Sequence, residues 1–151
     1  MAKLSEHFTE DEFRCPCCKM LTLAMPLVTA LEELRELVSK ARGKDTALQI
    51  TSGYRCPKHN AAVGGSPKSE HVSGIAADVV LPKGVLLKDF YAMADSINKF
   101  KDGGVGIYPS EGKTTGFIHV DVRNGRARWA RVGGKYVGIE SVLGSPKVGK
   151  A

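Results

Sequence analysis

Ser69-Glu70-His71-Val72-Ser73-Gly74-Ile75-Ala76-Ala77-Asp78 carries the chain out of a Gly/Ser-rich loop and into an apolar run that continues to Leu81. The run from Ile75 to Leu81 reads as a buried strand, and Asp78 is its one charge. A carboxylate among apolar strand residues is costly unless a cation, a metal or hydrogen-bond donors compensate it. A comparable interruption occurs at His119, inside the apolar stretch Phe117-Ile118-His119-Val120-Asp121. Together with His71 in the loop, the chain offers two imidazoles and one carboxylate. That is the usual protein donor set for catalytic zinc, with one position left for water. A single histidine on an apolar face is ordinarily a satisfied core residue. Two of them and a strand aspartate in one small chain bring the metal reading level with that plainer one.

Outward from this stretch, the periodicities define a mixed fold. Residues 26–42 predict a helix: Leu27, Leu31, Leu34, Val38 and Ala41 share one side, Pro26 suits the first turn and Gly43 the exit. Glu36 and Lys40 form an i,i+4 pair on its wet side. Residues 48–52 alternate as a short strand stopped by Gly53. Residues 54–74 turn to Gly, Pro, Ser, Lys and His without apolar periodicity, a length that points to a functional loop. Leu86, Phe90, Ala94 and Ile97 mark one face of a second helix. Residues 104–108 and 116–122 read as strands joined by a turn at Pro109-Ser110-Glu111-Gly112. This order predicts an α+β domain whose last strands pair antiparallel.

The 151 residues suffice for one domain with an ordinary core. A hydrophobic content of 42% with 25% charged residues excludes a disordered polyampholyte, and no apolar run approaches the roughly 20 residues of a membrane span. No stable membrane insertion is expected, and a monomer is. Met1-Ala2-Lys3-Leu4-Ser5-Glu6-His7 lacks the apolar core of an export signal, so synthesis in the cytoplasm is expected, with a separate release route if the target lies outside.

The formal charge is +6. All of it lies beyond Val122, where seven cations (Arg123, Arg126, Arg128, Arg131, Lys135, Lys147, Lys150) face one anion, Glu140. The excess reads either as a solubilising end or as electrostatic adhesion to an anionic polymer. Residues 132–151 are expected to be a basic, Gly-containing tail, disordered at its extreme end. Cys15, Cys17 and Cys18 cluster in the N-terminal segment, residues 1–24, which is expected to pack on the rest of a single domain spanning residues 1–131; Cys56 stands apart. The spacing lacks the two separated pairs of a common zinc motif. Reduced, buried thiols are the leading reading, beside a cross-link to Cys56 or a structural metal.

The Ser69-to-Asp78 stretch resembles the Ser-x-His-x-x-Gly-x-Ala-x-Asp signature of the zinc D-alanyl-D-alanine carboxypeptidase family, with every fixed position present. Ser52-Gly53-Tyr54-Arg55, His59-Asn60, Gly104-Val105-Gly106-Ile107-Tyr108 and Phe117 to Arg123 extend the likeness to its phage-type subgroup, over about residues 7–129. The resemblance implies a hedgehog/DD-peptidase-like fold: a small antiparallel sheet with flanking helices around one catalytic zinc ion. It implies His71, Asp78 and His119 as zinc ligands, Arg55 as a catalytic and substrate-binding arginine, and Ser69 as a substrate-binding residue. Many relatives place an acid or histidine two or three residues before the last ligand, where this chain has Gly116 and Phe117. Asp121 shares a strand face with His119 and is the expected general base, or else orients the imidazole; Glu111 is the other candidate.

The function so implied is hydrolysis of peptide bonds in peptidoglycan stem peptides or cross-links, by a phage or prophage endolysin acting at the cell wall after release. Whether it trims a terminal residue or cuts an internal bond is left open. A cell-wall-binding module that keeps the zinc site without cleaving is the alternative. Nucleic acid as a partner has only the basic balance behind it and no recognised motif.

Overall fold

Leu27, Val28, Leu31, Leu34 and Val38 are buried along one side of α1 (Met25–Arg42) in the computed structural model, which describes residues 2–113 and 115–144. Pro26 opens this helix, where its missing N–H costs nothing. Gly43 closes it in the left-handed conformation (φ 70°), its N–H reaching back to the Lys40 and Ser39 carbonyls. The helix thus begins and ends where Pro26 and Gly43 signal it.

After α1 come β1 (Ile50–Ser52), α2 (Pro57–Ala62), β2 (Ala76–Val80), α3 (Leu87–Ser96), α4 (Asn98–Lys101), β3 (Gly104–Tyr108) and β4 (Phe117–Asp121). Then β5 (Ala127–Val132), β6 (Lys135–Val137) and α5 (Glu140–Leu143) complete the described chain, with a short 3-10 turn at Glu10–Glu12 preceding α1. The strands form one sheet in the order β1-β2-β4-β3-β5-β6. The fold is α+β. The apolar stripe from Leu86 to Ile97 does not form one continuous helix. Ile97 adopts extended backbone (ψ 122°) and separates α3 from α4, while its side chain stays buried.

The expected antiparallel sheet needs correction, because β5 runs parallel to β3. The cause lies at the crossing point. Ala127 N–H bonds the Gly103 carbonyl, and Gly125 N–H bonds that of Asp102. The Arg128 guanidinium donates to the carbonyls of Phe100, Lys101 and Gly103 and pairs with Asp95. These bonds pin the start of β5 beside the start of β3. Part of the 132–151 stretch also joins the sheet, since Lys135–Val137 pairs with β5 across the Gly133-Gly134 turn. The extreme C-terminal end, where disorder is expected, lies outside the described residues.

Period-two alternation divides the sheet. Ala77, Val79, Val105, Ile107, Ile118, Val120 and Ala130 are buried in the same core as α1, Phe90 and Phe100. The alternate positions, Asp78, His119, Asp121, Tyr108 and Trp129, fall on the other face. There the glycines of β3 make room. A Cβ at Gly104 would strike the Asp121 carboxylate, and one at Gly106 the Trp129 indole.

Candidate metal centre

The register of β2 on β4 sets Asp78 directly opposite His119. Asp78 Oδ1 lies 3.3 Å from His119 Nδ1 and 3.2 Å from His71 Nε2. One donor atom from each of the three residues falls within 4.8 Å of the others. The structure thus brings together the three residues that sequence singled out. His71 comes from the loop before β2, where Gly74 (φ 75°) turns the chain tightly against Thr22 and leads it into the strand.

Each imidazole is fixed by its remaining nitrogen. His71 Nδ1 is 2.8 Å from the Gly53 carbonyl, which only accepts, so this nitrogen carries the hydrogen and Nε2 turns its lone pair inward. His119 Nε2 is 2.6 Å from Asp121 Oδ2, and by the same argument its Nδ1 lone pair faces Asp78. Two lone pairs and a carboxylate oxygen therefore converge on one point. Such a set repels itself unless a cation occupies the middle. The donor chemistry fits zinc, and the partners behind each imidazole match what orients metal-bound histidines generally.

Without a metal, protons fill that role. Burial disfavours a charged His119, but the bonds to Asp121 and Asp78 outweigh it and raise its pKa to about 9. Burial likewise penalises the Asp78 carboxylate, yet His119 and His71 hold it well below the usual carboxylate range.

Asp121, expected as the base or as the group that orients the imidazole, sits away from the open side of the site. It is fully buried, and its oxygens are taken up by His119, Gly104 N–H and the Arg123 backbone and guanidinium. Burial opposes its charge, but His119 and Arg123 hold it ionised far below the normal range. It lies behind the imidazole and not on the cavity, which is the orienting arrangement its spacing also allowed. Glu111 is exposed and accepts the Gly133 N–H at 2.8 Å, away from the three donors.

A cavity of about 720 Å³ opens over the three donors. Arg55 and Ser69 both line it. The Arg55 guanidinium sits 3.4 Å from Asp78 Oδ2 and is braced by Ser52 and Asn60. Ser69 Oγ accepts the His71 backbone N–H at 3.2 Å, capping the turn that presents the imidazole.

Several lining residues escaped the sequence reading. Glu70 is the one carboxylate besides Asp78 among the described lining residues, and it pairs with Arg123 at 3.1 Å. Tyr108 stacks on Phe117 at 4.4 Å and accepts from the Trp129 indole N–H at 3.1 Å. Burial pushes its hydroxyl up to about 12, so it remains a donor at neutral pH. The only sequence signal for this wall was the alternation of Tyr108, Phe117 and Trp129 with core residues on neighbouring strands.

A small sheet bearing two histidines and an aspartate around a cleft offers the three protein donors that metal-dependent hydrolases use. The model of the family described as Peptidase M15 matches residues 6–121, and the chain belongs to that family. It is accordingly a metallopeptidase by family. Comparison with curated proteins found no match.

Proposed function

We propose that the chain is a zinc peptidase that hydrolyses peptide bonds of peptidoglycan stem peptides or cross-links, in the service of phage or prophage lysis. The observation that carries the zinc assignment is the convergence of His71 Nε2, Asp78 Oδ1 and His119 Nδ1, each imidazole locked from behind. When bound, zinc supplies a water whose pKa falls to ~7 and a Lewis acid for the scissile carbonyl. The substrate reading is supported by the family and by the charge around the cleft. Arg55, Lys68, Arg123 and Arg131 line it against one outer acid, Glu70, which suits a peptide rich in free carboxylates.

The chain's own groups divide the remaining work. Arg55 and the protonated Tyr108 hydroxyl face the cavity as donors for a substrate carboxylate or a developing oxyanion. With Asp121 buried behind His119, Glu70 takes the role of proton acceptor in this reading, held in place by its ion pair with Arg123. Asp121 keeps the His119 ring oriented. The three arginines of the 123–128 stretch are engaged within the fold, with Asp121, Glu70 and Asp95, so any adhesion to an anionic wall falls to Arg131, Lys135 and the residues beyond.

Digestion of purified sacculi by the zinc-loaded chain, followed by mass spectrometry of the soluble fragments, tests the function and names the bond. Cleaved stem peptides are expected from the wild type and none from His71→Ala. Intact peptides from the wild type would instead favour a binding module, the reading suggested by the lack of a cavity-facing acid on β4. Fragments released equally by His71→Ala would overturn the ligand assignment.

A further inference from the structure

The N-terminal thiols form a second constellation, remote in sequence from the His71 site. Cys15 is fully buried, and its Sγ is 3.6 Å from that of Cys56. The sulfurs of Cys15, Cys17 and Cys56 lie within 4.8 Å of one another. Cys18 follows Cys17 directly in the same turn and is exposed. Three thiols from two turns thus share one small volume, with Cys18 next to them in the chain, although the sequence shows only three neighbours and a solitary fourth.

We propose that Cys15, Cys17, Cys18 and Cys56 form a thiolate site for a soft tetrahedral cation, with zinc as the ion, separate from the hydrolytic centre. Three observations converge on it. Sulfurs bound to one zinc at about 2.3 Å stand about 3.8 Å apart at tetrahedral angles, close to the 3.6 Å separation of Cys15 and Cys56. Backbone N–H groups are aimed at the sulfurs: Cys56 N–H at Cys15 Sγ, and His59 N–H at Cys56 Sγ. A neutral thiol is a weak acceptor, whereas a metal-bound thiolate uses several such donors. The turn itself is held in an unusual shape. Lys19 (φ 65°) is the one non-glycine residue with positive φ among those described. Lys19 N–H bonds the Cys15 carbonyl and Cys15 N–H that of Met20, closing the loop around the thiols. Backbone strain of this kind persists where the surroundings require it.

The proposed ion would clip the N-terminal segment to the turn after β1. That turn carries two parts of the hydrolytic site, the Gly53 carbonyl behind His71 and the Arg55 guanidinium beside Asp78. The site is closed by protein sulfur, so its role is to hold that turn and not to bind substrate.

The test uses the full-length chain, purified under reductant and loaded with cobalt(II) or zinc alone. Cobalt should produce thiolate-to-metal charge-transfer absorption in the near ultraviolet, and this band should survive His71→Ala. Zinc analysis of His71→Ala should still find about one equivalent per chain. Cys15→Ser should weaken the band, and because Cys15 is buried, the paired change Cys17→Ser with Cys18→Ser at exposed positions provides a second variant that should weaken it further. No thiolate band in the reduced wild type would overturn the site. So would an unreduced protein lighter by two hydrogens, with Cys15 joined to Cys56. Neither outcome bears on zinc at His71, Asp78 and His119, which the His71→Ala arm reads separately.

Discussion

The two clusters of soft and borderline donors are built in opposite ways. His71, Asp78 and His119 hang mainly on paired strands, where the β2–β4 register fixes Asp78 against His119, and a cavity leaves one side open. The thiols hang on two turns, joined to the body by Phe13, whose carbonyl accepts the Tyr54 N–H and whose backbone packs against Gly53. Strands give an open centre its geometry through hydrogen bonds that exist anyway. Turns have no such frame, and a closed cluster there has to supply its own. The comparison makes the first cluster the one suited to chemistry and the second the one suited to holding chain together.

The largest effect is expected at the open centre. Asp78→Ala removes the carboxylate shared by both imidazoles and should abolish zinc binding there and hydrolysis together, read by metal analysis and peptide release. Next in size, Phe13→Ala removes a fully buried ring at the hinge between the clusters. A loss of about 3–5 kcal/mol is expected from urea denaturation, with amide exchange rising around Gly53 to Cys56 before it rises in β4. Exchange that rises equally in both places would break the contrast.

Asp121→Asn tests orientation without removing a ligand. Metal affinity should fall about 10–100-fold by competition titration, while the fold is kept. A companion measurement follows from His119. Its pKa is raised to about 9 without a metal, so it is protonated at neutral pH and must release that proton to bind. With the thiol site disabled by Cys15→Ser, calorimetry in buffers of different ionisation enthalpy should show roughly one proton released per zinc near pH 7, and affinity should decline as pH falls.

The smallest effect lies at the start of β5. Burial raises the Asp95 pKa, but Arg128 and Arg126 outweigh it and lower it below the ordinary value. Its contribution is therefore present above about pH 4 and lost as pH falls through the depressed pKa, the usual carboxylate direction. Asp95 is 30% exposed, so Asp95→Asn should cost about 0.5–1 kcal/mol at pH 7 and nothing at pH 2.

The sequence made some of these features readable and hid others for definite reasons. α1 was legible because Pro26 and Gly43 mark its ends and five apolar residues keep one side. β2 and β4 were legible as apolar runs, and their polar interruptions named the three donors. Their pairing was not, since a one-residue slip in register leaves composition untouched and moves every side chain to the other face. β5 and β6 were missed because Arg128, Arg131 and Lys135 make them read as a solvated end; in the sheet Arg128 instead caps the carbonyls of Phe100 and Lys101. α2 was missed because its six residues open with Pro57 inside a Gly/Pro-rich stretch. The burial of Asp121 was not legible, because spacing along a strand does not report it. The glycines at 104 and 106 carry no periodic signal and make sense only once Asp121 and Trp129 are seen lying over them.

The most direct test of the central claim is to strip the chain of metal and return zinc stepwise in the Cys15→Ser background. Occupancy by competition titration and release of peptidoglycan fragments would be followed in the same samples. Fragment release that rises in proportion to the first equivalent of zinc and stops when that site is full is the predicted result. Hydrolysis that is already complete in the stripped protein, or that stays absent with the site filled, would contradict it.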